Sequence, residues 1–462
     1  MDYLDKIMNT VTKEVNVLLD KEIRIGVTGL SRGGKSALIT SLVNVISMFG
    51  ESGIGDKLPR FKAYDKFNIS YGGITSSHMM SIKRFPYEDA IDSLSSSPPQ
   101  WPSPTDGISE IRLEIKYRDE KWYSPISTHT IYIDIWDYPG EWLMDLLLLD
   151  LSYDEFSAKV KEYTEKVSSV VNANEWIKLG KALDPEAKPE VTILKKVVAE
   201  YTNWLIRCKE NDLAFIVPGR FVLPGELKGA PILEFVPWVW DKVDSYEKES
   251  LYAELKNRYD AYKQEVVQKF YKNCFAKIDR QLVLVDCLKA LKVGEVGFWD
   301  INNSFDILMQ NFKFGSSNFL TRLFAPRIDK VLFIGTKSDL VTNDQHQNML
   351  SMLKSMVRRS AARVRSDGAN CEYMVLSSVK STECVLTQHQ GKEQQVLVCN
   401  DEPTKAVFPG SVPPVWQDEW VEGYQNKFKL LNPRPPRITP DSLIPSFNID
   451  LLLEYIIGDK LW

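Results

Sequence analysis

Histidine is scarce in this chain, with 4 in 462 residues and no two of them close in sequence, which argues against a histidine-built metal centre. The six cysteines (208, 274, 287, 371, 384 and 399) contain no C-x-x-C pair. That speaks against a zinc site or a disulfide framework and suits a reducing compartment. No run of about 18 apolar residues is present to span a bilayer, and the N-terminus lacks the basic-then-apolar order of a signal peptide. A cytoplasmic location is therefore expected. Excess positive charge is missing too: the formal net charge is -5, so no nucleic-acid partner is expected. What remains is ordinary globular material, 44% hydrophobic and 26% charged. Its length suits about three average domains, or one elaborated domain with a large insertion.

Against that background one stretch stands out. Ile23, Ile25 and Val27 form a short apolar run, and Gly29-Leu30-Ser31-Arg32-Gly33-Gly34-Lys35-Ser36 follows at once. Leu38, Ile39, Leu42, Val45 and Ile46 then recur at helical spacing. Strand, glycine-rich turn and helix are the context that the P-loop pattern G-x-x-x-x-G-K-[ST] requires. Glycines let successive backbone N–H groups turn toward phosphate oxygens, and the helix start adds its positive dipole end. Lys35 is placed to reach the β- and γ-phosphates and Ser36 to ligate Mg²⁺, with Leu30, Ser31, Arg32 and Ala37 completing the cradle.

Four further stretches extend the site. Thr105 directly follows the Ser/Pro-rich run 93–104 and precedes an alternating strand pattern at 108–117. A threonine in a loop between P-loop and next strand suits the switch residue that contacts Mg²⁺ and γ-phosphate; a solvated turn threonine is the alternative. Residues 130–141 form an apolar strand closing on Asp137-x-x-Gly140, where Asp137 would hold a metal-bound water and the Gly140 N–H would follow the γ-phosphate. Asp134 competes for the acid role, but the glycine three residues on singles out Asp137. Glu141 occupies the position where Ras-like enzymes carry a water-orienting glutamine. It reads either as a general base opposed by phosphate repulsion or as a surface charge accompanying slow hydrolysis. Lys330–Leu340 then reads as a strand closing on Thr336-Lys337-Ser338-Asp339, close to the base-reading [NT]-K-x-D. Its aspartate can accept from guanine N1–H and N2–H₂, a donor pair that adenine lacks. Threonine in place of asparagine removes one amide contact. Ser377-Ser378-Val379-Lys380 matches the order of a guanine O6-contacting loop.

Elsewhere, residues 1–20 carry apolar residues at helical spacing, predicting an amphipathic helix packed on the core. A membrane-surface helix is the alternative, but its polar face mixes signs. Residues 50–104 are weakly periodic. Ile193, Val197, Tyr201 and Leu205 predict one helix stripe after Pro189, and 241–273 predicts charged helix. The segment 215–240, dense in proline, glycine and aromatics, reads either as a tie onto the core or as a docking surface. Residues 279–288 predict a strand, 385–398 a hairpin around Gly391 and 449–462 an amphipathic helix.

These runs resemble one family, the bacterial YcjX-type stress-associated P-loop proteins. The likeness rests on G-L-S-R-G-G-K-S (29–36), W-P-S-P-T (101–105), D-Y-P-G-E-W-L-M-D-L (137–146), P-G-R-F-V-L-P-G-E-L-K-G-A-P (218–231), D-R-Q-L-V-L-V-D-C-L (279–288), T-K-S-D (336–339) and G-D-K-L (458–461). It covers nearly the whole chain. The resemblance implies a GTPase-like core, a helical insertion and an association with heat-shock and envelope-stress responses. Gln100 departs from the arginine that usually precedes the tryptophan of the W-P run.

The expected fold is therefore a three-layer α/β P-loop NTPase of GTPase-like type with a large, mainly helical insertion. Residues 1–140 and 276–462 would form the core and 141–275 the insertion. GTP or GDP with Mg²⁺ is the expected ligand, with slow hydrolysis and a conformational switch. Lys35, Thr105, Gly140 and Glu141 form the catalytic set, and Ser36, Thr105 and Asp137 the metal set. Lys337, Asp339 and Ser378 to Lys380 would read the base, with Arg32 and Arg280 as further cations for transition-state charge; for Arg280 a structural ion pair is the other reading. An unidentified protein effector docking through 141–275 and a peripheral membrane contact are the partner expectations. An ATPase on the same core and a nucleotide-binding scaffold without turnover are the alternatives.

Overall fold

The computed structural model describes residues 21–29, 33–118, 128–310, 328–389, 392–400, 406–415 and 428–461. The predicted helix at 1–20 and the hairpin tip at Gly391 lie outside them. Strand β1 (Lys21–Gly29) is the pivot of the sheet. It pairs in parallel with β5 (Thr128–Asp137) on one side and β6 (Arg280–Val285) on the other. Beyond β6, β7 (Lys330–Thr336) and β8 (Asn370–Leu376) continue in parallel. On the opposite flank β4 (Ser109–Arg118) runs antiparallel to β5, and β2 (Tyr71–Thr75) and β3 (Lys83–Arg84) line its outer edge. The order is β2-β4-β5-β1-β6-β7-β8, with β3 also on β4.

Alternation along the strands builds three layers. Leu282 and Leu284 face Leu38 and Leu42 of α1 (Lys35–Ser47) together with Leu452, Leu453 and Ile456 of the C-terminal helix Ile449–Ile457. Val283 and Val285 face the other way, onto helices that follow β6 and β7. Burial on both faces explains the continuous apolar runs Leu282–Val285 of β6 and Val331–Ile334 of β7. The chain reverses its direction of sheet growth at β1, so the crevice above the carboxyl ends of β1, β5 and β6 is the topological switch point where such sheets bind ligands.

Between β5 and β6 the described chain is mainly helical. After α2 (Tyr87–Ser95) come α3 (Gly140–Met144), α4 (Tyr153–Lys166), α5 (Asn174–Lys181), α6 (Val191–Glu210) and α7 (Leu251–Tyr262). Their core is aromatic: Trp176, Tyr201, Trp204, Phe235 and Tyr259 are all buried, and the Trp176 and Tyr201 rings meet edge-on at 5.0 Å. That core runs without a break into Val283, Val331 and Phe333 on the second face of the sheet. Two buried carboxylates tie it inward. Asp300 accepts from Tyr163 Oη at 2.8 Å and from the Phe215 N–H at 3.1 Å. Asp145 accepts from Tyr262 Oη at 2.5 Å and from the Gly219 N–H at 2.7 Å. Burying these charges is tolerable only because each is hydrogen-bonded.

Several local expectations are corrected. The 50–104 stretch carries β2, β3 and α2; a two-glycine edge strand and a nine-residue helix give little period to detect. Helix α2 extends into the predicted loop, to Ser95. On α6, Leu194 rather than Ile193 faces inward; Ile193 is 45% exposed. Helix α7 begins only at Leu251, where Ser250 Oγ caps the Ala253 N–H, so 241–250 is not helical. The C-terminal helix ends at Ile457. The predicted hairpin forms, with β9 (Thr382–His389) antiparallel to β10 (Lys392–Cys399). Much of 215–240 is buried, Phe215 to Phe221 and Phe235 to Val239 included, as a tie onto the core would be.

Candidate functional site

The carboxyl ends of β1 and β5 bring the phosphate-side candidates together. Gly34 precedes α1 with φ 89°, a left-handed conformation that favours glycine, and its carbonyl accepts the Leu38 N–H. Lys35 is buried against the turn, donating from Nζ to the Gly29 carbonyl at 3.2 Å. Leu30, Ser31 and Arg32 lie outside the described residues.

Three hydroxyl and carboxylate groups form a chain beside it. Thr105 Oγ1 donates to Asp137 Oδ2 at 2.5 Å. Having one proton, Thr105 must then accept from Ser36 Oγ, 3.2 Å away. The other Asp137 oxygen, Oδ1, is buried without a hydrogen-bond partner among the described residues. Burial raises the Asp137 pKa to about 6, against the field of Lys35 and the Thr105 bond, which lower it. A buried, half-satisfied carboxylate flanked by two hydroxyls is a donor set suited to a hard, oxygen-loving cation such as Mg²⁺. Asp134 is engaged elsewhere, with both oxygens on Arg112 at 3.0 and 3.1 Å.

Gly140 follows two residues after Tyr138 and presses on the P-loop. A Cβ built there would lie 2.1 Å from the Gly29 carbonyl oxygen and 3.2 Å from Lys35 Nζ, so only glycine fits this approach. Glu141 is neither exposed nor unpaired: Oε1 meets Lys209 Nζ of α6 at 2.8 Å. Burial opposes its ionisation, but the Lys209 ammonium and, more weakly, Lys35 outweigh that and hold its pKa below the usual value. The surface-charge reading of Glu141 is thereby excluded. Trp142 stacks under the Arg220 guanidinium, 3.2 Å from ring centroid to Cζ, and donates Nε1–H to the Leu223 carbonyl at 2.8 Å. With Asp145 on the Gly219 N–H, the segment after Asp137 is held at Glu141, Trp142 and Asp145 by residues between Lys209 and Leu223.

The base-side candidates are arranged differently from the simplest expectation. Thr336 is buried with Oγ1 unpartnered among the described residues. Lys337 adopts φ 62° and its ammonium meets Asp286 Oδ2 at 2.7 Å. Asp339 holds the next loop: Oδ1 accepts from Ser377 Oγ at 2.7 Å, and Oδ2 from the Ser381 N–H and Oγ at 2.8 and 2.6 Å. Asp339 thus joins the T-K-S-D turn to 377–382. Val379 is buried with Ile91, Leu94, Ile438 and Ile444, against which Ala37 packs, so its side chain is a packing group. The Lys380 N–H donates to the Pro445 carbonyl at 2.7 Å, and its ammonium lies 3.6 Å from Glu383. Ser378 is half-buried between them.

Arg280 does not reach this site. It opens β6 at the opposite end of the strand and bonds both Asp459 oxygens at 2.7 and 2.8 Å, the ion-pair reading. Asp286, Lys209 and Arg220 were not singled out from sequence. Asp286 had a signal, an acid closing an apolar strand as Asp137 does; Arg220 sits in the quoted P-G-R-F run; Lys209 is one of many helix-surface lysines and gave none. A groove of about 470 Å³, lined by Lys166, Trp299, Asp306, Arg358 and Arg359 among others, includes no P-loop residue. No described helix is long and apolar enough to cross a membrane.

Fold and motif geometry together define a P-loop α/β protein with a GTPase-like core. Residues 23–461 match the model of the YcjX-like family, DUF463. The chain is 36% identical over 472 aligned positions to Ras-like GTPase YcjX of Escherichia coli strain K12, covering 99% of this chain and 100% of that protein. It is 35% identical over 490 positions to Ras-like GTPase YcjX of Shewanella oneidensis strain MR-1, covering both chains fully. The chain belongs to the YcjX-like family.

Proposed function

We propose that this protein binds guanine nucleotide with Mg²⁺, hydrolyses GTP slowly to GDP and phosphate, and changes the conformation of its 137–145 segment as it does so. The observation that carries this reading is the Ser36–Thr105–Asp137 chain beside Lys35, with one Asp137 oxygen left open. Bound Mg²⁺ would neutralise charge on the phosphate oxygens. The chain's own groups do the rest: Gly29 to Ala37 cradle the phosphates, Ser36, Thr105 and Asp137 hold the metal shell, and Gly140 reports on the γ-phosphate. Thr336, Lys337 and Asp339 with Ser378 to Lys380 frame the base; Asp339 acts there partly by fixing both loops relative to each other. The names of the two relatives support guanine specificity and turnover.

Slow turnover follows from Glu141. A carboxylate already neutralised by an ammonium at 2.8 Å is a weak base for water. We take 1–140 with 276–462 as the nucleotide unit and 141–275 as the insertion that receives its signal, through contacts on Glu141, Trp142 and Asp145. A role in bacterial stress responses rests on the family resemblance alone. The test is phosphate release from GTP and from ATP, with Mg²⁺ and with chelator. Release that needs GTP and Mg²⁺ and is lost in Lys35→Ala supports the reading. Equal release from ATP moves the protein to the ATPase class, and background release unchanged by Lys35→Ala makes it a scaffold.

A further inference from the structure

Hydrolysis at this site faces a charge problem. The water oxygen bonds to the γ-phosphorus as the β,γ-bridging oxygen leaves with its electron pair, giving GDP, inorganic phosphate and a proton to solvent. The negative charge on the transferring group and the leaving oxygen calls for cations beyond Lys35. Among the described residues the other cations near the P-loop are accounted for: Lys337 meets Asp286, Lys289 meets Asp212 at 3.2 Å, and Arg280 lies at the far end of its strand.

Lys209 differs from these in its partner. It sits in the last turn of α6 and, like Lys289, lines the narrow cavity that Gly33 of the P-loop also lines. Its ammonium contacts Glu141, one residue from the glycine that abuts both the Gly29 carbonyl and Lys35 Nζ. Its partner Glu141 is a carboxylate that an arriving γ-phosphate would repel, since both carry negative charge. From these placements we infer that Lys209 is a catalytic cation supplied in cis by the helical insertion. Glu141 is its holder in the resting state and not the base.

This inference rests on the proposed GTPase reading and deepens it. When γ-phosphate is bound, a more highly charged partner competes with Glu141 for the Lys209 ammonium. Because Glu141 is buried, the exchange of partners moves α3 relative to α6, at the grip that Arg220 and Gly219 maintain. Hydrolysis would then be controlled by how readily the Glu141–Lys209 pair opens, and the insertion is the element that sets this.

Removing Lys209 alone would strand a buried carboxylate and could unfold the protein. The informative variants are therefore Glu141→Gln and the double variant Glu141→Gln with Lys209→Met. Two readouts apply: single-turnover GTP hydrolysis, and affinity for labelled GDP with and without aluminium fluoride, which mimics the transferring phosphoryl group. Glu141→Gln frees Lys209, so hydrolysis should rise and the fluoride complex should form at least as tightly as in the wild type. In the double variant hydrolysis should fall about 100-fold or more, within reach of the effect of cis-acting arginines. GDP affinity should stay within about threefold while the tightening by aluminium fluoride disappears, because only the charged mimic calls on the cation. Lys209→Arg should restore both. Loss of hydrolysis in Glu141→Gln, or tightening that survives in the double variant, overturns the role of Lys209 alone. A wild-type protein that binds neither GDP nor its fluoride complex overturns the GTPase reading as well.

Discussion

Gly140→Ala probes the contact on which the phosphate side depends. The added methyl would lie 2.1 Å from the Gly29 carbonyl oxygen and 3.2 Å from the carbonyl carbon, both backbone atoms of the pivot strand. Neither can swing aside, so relief requires the start of α3 and the end of β1 to part by about 1 Å; overpacking of this kind costs about 1–3 kcal/mol. Lys35 donates to that same carbonyl at 3.2 Å and would be displaced with it. Thermal melting should fall by a few degrees. The shift given by a non-hydrolysable GTP analogue should shrink more than the shift given by GDP, since Gly140 belongs to the γ-phosphate side. Gly107→Ala is the control, because a methyl there meets nothing within 4 Å. An unchanged melting temperature together with an unchanged preference for the triphosphate would refute the argument.

Asp339→Asn replaces one acceptor oxygen by a donor in a carboxylate that receives Ser377 and both Ser381 groups. It should cost about 1.5–3 kcal/mol of loop anchoring and weaken GDP binding together with guanine-over-adenine preference; a competition assay that finds both unchanged removes Asp339 from the base site. The acid limb of stability should depend on Asp459, whose carboxyl is held down to about 2, with burial opposing and Arg280 and Lys330 outweighing it. Its folded pKa is below the unfolded one, so this stabilisation is present above about pH 4 and lost as pH falls through about 2. Partial exposure limits it to about 1 kcal/mol, and Asp459→Asn should flatten the melting profile between those values.

Most of the fold was legible because its parallel strands are buried on both faces and each ends in a chemically distinctive turn. Leu282–Val285 and Val331–Ile334 are apolar throughout because helices cover both sides of them, whereas Ile23, Ile25 and Val27 and Ile131, Ile133 and Ile135 alternate with residues such as Arg24 and Asp134. Short edge strands such as Tyr71–Thr75 were not legible, since their glycines and exposed positions leave no period. The phosphate-side candidates Ser36, Thr105 and Asp137 were readable as separate motifs, although 69 residues part the first two. The partners of Glu141 and Lys337 were not readable. Lys209 and Asp286 reach them only through packing of helices and strands distant in sequence, which no local spacing encodes. Likewise, Asp339 looked like a free base reader because the serines that bind it belong to the next β–loop unit.

The most direct test of the central claim is calorimetric titration of nucleotide-stripped protein with GTP, GDP and ATP, each with and without Mg²⁺. Saturable 1:1 binding of GTP and GDP is expected, tightened by Mg²⁺ for the triphosphate, with no comparable binding of ATP. Absence of binding, or a clear preference for ATP, would contradict that claim.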